Sequence, residues 1–203
     1  MGIEIPQNKF LILDGAMGTV LQQRGLSPQG RPELLNLTEP ELLDSVYKEY
    51  IAAGSQVIYA NTFGANGLKL AKTGHSVEEV VGAAIAVAKK AAAGTGTLVA
   101  LDVGPLGELL EPMGTLSFER AYDLFREMAE AGAKAGADLI VVETMTDLYE
   151  AKAALLAAKE AAHLPVFVTM SFDAGGRTFT GCTVAYMART LEGLGADAIG
   201  LNC

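Results

Sequence analysis

Phe10-Leu-Ile-Leu-Asp-Gly-Ala-Met-Gly-Thr19 joins a short apolar run to a glycine-rich turn. A continuous apolar run without polar alternation predicts a strand buried on both faces, as in a parallel sheet. The run ends at Asp14, and Gly15 and Gly18 then allow a tight turn or the close approach of a ligand. A carboxylate at the carboxyl end of a parallel strand is typical of binding sites in α/β enzymes. The alternative is that Asp14 merely caps the next helical turn.

The composition indicates one globular domain that binds neither nucleic acid nor membranes. The chain has 203 residues, of which 50% are hydrophobic, so we expect a single domain with a large core. Its net charge is -9 and its Lys and Arg residues form no stripe, which argues against nucleic acid and anionic membranes. The sequence shows no signal peptide, no apolar run of membrane-spanning length and no disulfide framework. These features favour a cytoplasmic protein.

Apolar runs typical of strands alternate along the chain with amphipathic or alanine-rich helical patterns. They recur at the spacing of repeated βα units, and no low-complexity linker divides them. The predicted strands are Phe10–Leu13, Gln56–Ala60, Thr97–Val103, Asp138–Glu143, Pro165–Ser171 and Asp197–Asn202.

Several helix starts are predicted from capping signals. Thr38-Glu-Pro-Glu41 and Ser76-Val-Glu-Glu79 are both capping boxes, the first with proline in its first turn. Asp147, followed three residues later by Glu150, offers the same chemistry for a helix that runs through Ala162.

A weak internal repeat marks the ends of three predicted helices. Ala53-Gly54, Ala135-Gly136 and Leu194-Gly195 each lie between a helical pattern and an apolar run. Glycine at such a position supplies the left-handed residue that stops a helix. The helix that ends at the second pair is predicted from about Ser117, with a stripe of apolar residues facing the core.

Six predicted βα-type strands are compatible with a doubly wound sheet or with a (β/α)8 TIM barrel that is short of two strands. The turn after Asp14 lacks the third glycine of the dinucleotide-binding fingerprint. Polar side chains instead end nearly every strand, as at a barrel mouth: Asp14, Asn61, Thr62, Asp102, Glu143, Thr144, Ser171, Asp173, Asn202 and Cys203. We predict an α/β TIM barrel truncated after its sixth strand. Residues 1–203 would form one incomplete domain, with residues 23–37 as a loop on the ligand-binding side.

Several separate motifs resemble the homocysteine S-methyltransferases, with the closest resemblance to the amino-terminal, homocysteine-binding module of cobalamin-dependent methionine synthases. The motifs occur in the order seen in that family and extend over the whole chain: Asp14-Gly-Ala-Met-Gly-Thr19, Asn61-Thr-Phe-Gly-Ala-Asn66, Gly104-Pro105, Glu143-Thr-Met-Thr-Asp147 and Gly200-Leu-Asn-Cys203. The family fold is a (β/α)8 barrel, which agrees with the prediction from the strand pattern.

The resemblance implies a zinc-dependent methyl transfer to the thiol of homocysteine, giving methionine. Family members bind zinc with three cysteines. Cys203 matches the first of these, and the chain stops before the position of the other two. The resemblance also implies that Asp14 and Glu143 bind the substrate's ammonium group and that backbone N–H groups of Gly15, Ala16 and Met17 bind its carboxylate. Asn61 is a further candidate for substrate binding, or it hydrogen-bonds loop backbone.

The chemistry explains why such residue types are needed. A free thiol is a weak nucleophile at neutral pH, whereas a zinc-bound thiol is deprotonated. Three protein ligands leave one position of the ion open for the substrate. The expected methyl donor is methylcobalamin on another module, and corrinoid and folate modules or proteins are the expected partners.

Three alternatives stay open from the sequence. One is a truncated, non-catalytic barrel that binds an amino acid or a partner protein, which the missing zinc ligands favour. The other two are homocysteine methyltransferases that use betaine or S-methylmethionine as the methyl donor. In any of these cases, open strand edges beside Leu11, Leu13, Ile199 and Leu201 lead us to expect self-association of the chain.

Overall fold

The computed structural model describes residues 10–27 and 30–203. The helices are α1 (Met17–Gln23), α2 (Leu35–Thr38), α3 (Pro40–Ala52), α4 (Gly67–Leu70), α5 (Val77–Ala92), α6 (Phe118–Ala135), α7 (Leu148–Ala162) and α8 (Val184–Gly193), with a 3-10 turn at Pro32–Leu34. The strands are β1 (Val57–Tyr59), β2 (Leu98–Val103), β3 (Leu139–Met145), β4 (Val166–Met170) and β5 (Ala198–Leu201). None of the helices in this part of the chain has the length and apolarity needed to cross a membrane.

The five strands form one parallel sheet in the order β1-β2-β3-β4-β5. Sequential parallel neighbours joined by helical crossovers are the arrangement of a barrel wall, whereas a doubly wound sheet reverses its strand order. The α/β prediction is confirmed, and five of the six predicted strands are present at close to their predicted positions.

The run Phe10–Leu13 lies beside β1 but does not form a full strand. Leu13 makes one isolated parallel bridge with Val57, and the Asp14 amide donates to the Val57 carbonyl over 3.0 Å. Phe10 is 93% exposed and Ile12 is 53% exposed, so the prediction of burial on both faces was wrong. The physical reason is that, within the described residues, this run has a neighbouring strand on one side alone.

Each strand has two apolar faces that pack against different partners. One face packs with the helices in the main core, where Ile58, Leu101 and Ile140 are fully buried. The opposite face carries a smaller cluster formed by Val57, Ala100, Leu139, Val141 and Phe167. We call this second group the interior cluster. Because both faces of the strands are buried, their sequences are continuous runs of apolar residues.

Two of the three predicted caps are confirmed. Ser76 accepts from the Glu79 amide at the start of α5, and Asp147 accepts from the amides of Tyr149 and Glu150 at the start of α7. The predicted Thr38 cap was wrong, because Thr38 ends α2 and its hydroxyl donates back to the Leu34 carbonyl.

The predicted helix ends are confirmed by backbone geometry. Gly54, Gly136 and Gly195 all have positive φ, at 107°, 92° and 84°, the left-handed conformation that ends a helix. The prediction of an irregular loop over residues 23–37 was partly wrong, because the 3-10 turn and α2 fall within it. Pro32 begins the 3-10 turn, where the N–H group that proline lacks would have no partner inside the turn. Residues 28 and 29 of the predicted loop lie outside the described residues.

Candidate substrate and metal site

A cavity of about 600 Å³ opens at the carboxyl ends of the strands. All seven positions predicted as site residues line it: Asp14, Gly15, Ala16, Met17, Asn61, Glu143 and Cys203. The cavity also brings in side chains that the sequence did not select as site residues, namely Tyr59, Asp102, Thr144, Thr169 and Asn202. No Lys or Arg in the described part of the chain lines it.

The polar lining follows from the two-residue period of a strand. Tyr59 and Asp102 each lie two positions after a member of the interior cluster, Val57 and Ala100 respectively. Side chains two residues apart lie on the same face of a strand. β1 and β2 therefore carry apolar interior side chains below and one polar side chain at the cavity. Glu143 after Val141 on β3 and Thr169 after Phe167 on β4 repeat the pattern.

Asp14 is held in place by β1. Its Oδ2 accepts a hydrogen bond from the Tyr59 amide over 2.9 Å, which joins the end of the first apolar run to the end of β1. Its Oδ1 is buried and has no hydrogen-bond partner among the described residues. Burial raises the pKa of Asp14 to about 7, with a further contribution from the negative charge of Glu143. One oxygen of this carboxyl group is thus available to a ligand.

Glu143 is aimed by an irregularity in β3. The register between β3 and β4 shifts between Val142 and Met145, and Thr144 has a φ of 58°. A β-bulge of this kind redirects side chains and is common beside active sites, and a positive φ is rare for a β-branched residue. Burial raises the pKa of Glu143 above its ordinary value.

Asp102 is a third carboxyl group of the same cavity. Only 7% of its surface is exposed. Its backbone amide and carbonyl are both bonded to the Thr62 hydroxyl, but its Oδ1 is buried without a partner among the described residues. Burial raises the pKa of Asp102 well above its ordinary value, and the charges of Glu143 and Asp14 raise it further. A strand-end carboxylate was visible in the sequence, but nothing there showed which face of β2 it occupied.

Asn61 shapes the wall of the cavity. Its Nδ2 donates to the Pro32 carbonyl over 2.6 Å and to Asn36 Oδ1 over 3.3 Å, and its backbone amide donates to the buried Tyr47 hydroxyl. Both N–H bonds of the amide group are thus used within the protein. These contacts hold the turn at Pro32–Leu34 against the end of β1.

The glycine turn places backbone groups at the cavity. Ala16 occupies the N-cap position of α1, and its side chain makes no capping hydrogen bond. The N–H groups in the first turn of a helix have no partner inside it. Tyr50 steadies the turn from outside, because its hydroxyl donates to the Ala16 carbonyl over 3.2 Å.

The candidate metal ligand Cys203 is exposed at the rim of the cavity. Its Sγ lies 3.9 Å from Thr144 Oγ1 and 3.9 Å from Asn202 Nδ2. Across residues 10–27 and 30–203, no group of three or more His, Cys, Asp or Glu side chains is arranged to hold a metal ion. Since zinc sites use three or four protein ligands, the described residues supply one thiol and do not by themselves form such a site.

A profile of the homocysteine S-methyltransferase family matches residues 11–203. The chain belongs to this family. It is 31% identical over 221 residues to the methionine synthases of Mycobacterium tuberculosis and Mycobacterium leprae. The alignment includes 99% of the chain but only 18% of each of those proteins.

A solved structure of the same family supports the barrel. The metallated form of the homocysteine methyltransferase MmuM from Escherichia coli superposes with a TM-score of 0.85 at 25% identity, covering 97% of this chain and 75% of that one. Its oxidised form gives a TM-score of 0.84 at 26% identity. The likeness confirms the predicted TIM-barrel fold class. This chain spans about three quarters of the length of the E. coli enzyme.

Proposed function

We propose that the chain is the homocysteine-binding part of an enzyme that transfers a methyl group to the thiol of homocysteine, giving methionine. The observation that carries the proposal is the convergence of Asp14 and Glu143 on one cavity that Cys203 also lines. An amino acid with a thiol needs acceptors for its ammonium group, donors for its carboxylate and a partner for its sulfur. The cavity offers candidates for all three.

The ammonium group is assigned to Asp14 and Glu143. Both carboxyl groups line a cavity without Lys or Arg among its described residues, so a bound cation meets no competing positive charge. Charge-assisted hydrogen bonds of this kind are shorter and roughly twice as strong as neutral ones. The backbone of Gly15, Ala16 and Met17 also lines the cavity and is assigned to the substrate carboxylate.

The sulfur end is assigned to the rim at Cys203. We place this thiol as one ligand of a zinc ion whose remaining ligands this chain does not itself supply. When bound, zinc would convert the substrate thiol to the thiolate that accepts the methyl group. Asn61 contributes by holding the wall at Pro32.

The proposed methyl donor is methylcobalamin carried by another module, with corrinoid and folate modules or proteins as partners. The support is the similarity to two proteins named methionine synthase, of which this chain spans 18%. We also propose that the chain self-associates, because apolar side chains are exposed at the edges of the sheet, at Ile12, Leu13 and Leu201.

A second candidate is an amino-acid-binding protein that performs no methyl transfer. The observation in its favour is that Cys203 is the sole thiol that the described residues bring to the cavity, where no three metal-binding side chains are grouped to hold an ion. Under this alternative the cavity binds homocysteine and zinc is not needed.

Calorimetric titration separates these functions. L-homocysteine is compared with 4-mercaptobutanoate, which keeps the thiol and the carboxylate but lacks the amino group. We expect the amino acid to bind at least about tenfold more tightly, because the ammonium group makes charge-assisted hydrogen bonds. Equal affinities would overturn the assignment of the cavity to an amino acid. We expect this chain alone to be inactive, because Cys203 by itself does not complete a zinc site. Production of methionine from methylcobalamin, once the remaining zinc ligands are supplied, would then distinguish the methyltransferase from the binding protein.

A further inference from the structure

We infer that Asp102 is a third acceptor for the substrate's ammonium group, so that the site selects a primary amine. The inference rests on the proposed function and adds a residue that the sequence did not select. It starts from Asp102 Oδ1, a buried carboxyl oxygen of the cavity that has no partner among the described residues.

Buried polar atoms in folded proteins are nearly always hydrogen-bonded, and an unpartnered one costs about 1–3 kcal/mol. The Asp102 side chain has no hydrogen bond in the described structure although 93% of its surface is buried, as its exposed fraction of 7% shows. Its main chain is fully engaged with Thr62, which holds the residue firmly in β2. A rigidly held acceptor facing a cavity is suited to a ligand donor.

The neighbours of Asp102 indicate that the donor is a cation. Asp14 and Glu143 line the same cavity, and the negative charges of Glu143, Asp14 and Glu33 all disfavour ionisation of Asp102. The described lining contains no Lys or Arg to offset them. A ligand that brings positive charge to this place relieves the repulsion among the carboxyl groups.

The number of acceptors matches a primary ammonium group. Such a group has three N–H donors. Asp14 Oδ1 and Asp102 Oδ1 are both buried without partners, and Glu143 Oε2 accepts a long bond of 3.3 Å from Asn202.

The register of the sheet explains why three strand ends can meet one group. Asp102 pairs with Val141 on β3, so Glu143 lies two residues further along the neighbouring strand and on the same face. On the other side, Ala100 pairs with Tyr59, whose amide holds Asp14. Asp102 is therefore central, between the carboxyl groups of Asp14 and Glu143.

Two comparisons test the inference by calorimetry. For the unaltered protein, N-methyl-L-homocysteine should bind at least about tenfold more weakly than L-homocysteine, because one N–H bond is replaced by a methyl group that faces a carboxyl group. For Asp102→Asn, the affinity for L-homocysteine should fall by about tenfold while that for 4-mercaptobutanoate stays unchanged, since an amide, unlike a carboxyl group, cannot ionise to pair with the bound ammonium group. Asp173→Asn is the matched control, because Asp173 lies in an exposed turn outside the cavity. This variant should bind both ligands as the unaltered protein does.

The possible outcomes are distinct. Unchanged homocysteine binding by Asp102→Asn, equal losses for both ligands, or full tolerance of the N-methyl group by the unaltered protein would each overturn the role of Asp102. If Asp102→Asn does not fold, the N-methyl comparison decides alone. Failure of the unaltered protein to prefer homocysteine over 4-mercaptobutanoate would instead overturn the proposed function, and this inference with it.

Discussion

The side-chain amide of Asn202 donates a hydrogen bond to Glu143 Oε2 over 3.3 Å and so joins the end of β5 to the end of β3. Its orientation is determined by Thr144, whose backbone amide donates to Asn202 Oδ1 over 3.1 Å. The same Asn202 Nδ2 also donates to Thr144 Oγ1 over 2.7 Å. A residue adjacent to Cys203 thus positions the carboxyl group assigned to the substrate's ammonium.

Removing this contact should weaken substrate binding without abolishing it. Glu143→Gln should lower the affinity for L-homocysteine at least about tenfold, because it removes a charged acceptor. Asn202→Ala should lower it by less, about fivefold, which corresponds to one neutral hydrogen bond of about 1 kcal/mol. Calorimetry on both variants and on the double variant measures the coupling. Strictly additive losses would show that Asn202 does not act through Glu143.

The free energy of unfolding should decrease as the pH rises from 5 to 7.5. Burial raises the pKa of Asp14 and of Glu150 to about 7, and it raises those of Asp102 and Glu143. Between their unfolded and folded pKa values these groups hold more protons in the native state. Stability is therefore greatest at the acid end of this range and is lost as the native groups ionise.

Denaturant unfolding at constant ionic strength measures this dependence. Glu150→Gln is the informative variant. Glu150 Oε1 accepts a hydrogen bond from the Leu106 amide over 2.7 Å, and the side-chain oxygen of glutamine can accept the same bond. The variant should show a shallower pH dependence, since one titrating group is removed. Stability that rises between pH 5 and pH 7.5 would contradict the raised pKa values.

Homocysteine binding should strengthen as the pH rises towards neutrality. The ammonium group pairs with ionised carboxylates, whereas burial raises the pKa of Asp14 to about 7, so this group holds its proton in the empty cavity below that pH. Binding below pH 7 should therefore release protons. Calorimetry in two buffers with different ionisation enthalpies counts the protons released. No net release at pH 6 would rule out this coupling.

Gly104→Ala should disturb both stability and the cavity. A Cβ atom at residue 104 would lie 2.5 Å from Phe63 Cε2, and Phe63 lines the cavity. Overpacking of this kind costs about 1–3 kcal/mol, and displacement of the Phe63 ring would change the shape of the cavity. Gly82→Ala within α5 is the control, because its Cβ would meet no atom within 4 Å and alanine favours a helix. Unchanged stability and binding in Gly104→Ala would contradict the close contact.

Zinc should bind this chain weakly. Cys203 is the one candidate thiol of the cavity, and no group of three metal-binding side chains is arranged among the described residues. We expect a dissociation constant weaker than about 1 μM, far from the affinity of a complete site. Competition with a chromophoric chelator measures it, and Cys203→Ala should abolish what binding there is. Stoichiometric zinc that survives dialysis against a mild chelator would contradict this, unless sedimentation shows two copies sharing the ion.

Local chemistry made several elements predictable. Ser76 and Asp147 cap their helices because a side-chain oxygen needs only the next few amides of its own segment. The same rule was wrong for Thr38, whose hydroxyl bonds backwards within α2. Its failure shows that a capping pattern is not sufficient when the preceding residues are already helical.

The sequence by itself determined the alternation of strands and helices, the glycine helix ends, the position of Asp14 after the first apolar run and that of Glu143 near the end of β3, because each depends on residues close together in the chain. The sequence also listed Asp102 among the polar side chains at a barrel mouth, but the tertiary structure alone decided that its Oδ1 lies buried and unpartnered beside Asp14 and Glu143 and that Phe10 and Ile12 are exposed. A strand that is apolar on both faces carries no mark of which face lies inward. Only pairing with β1 and β3 determines that face, and only the neighbours of an edge determine its burial.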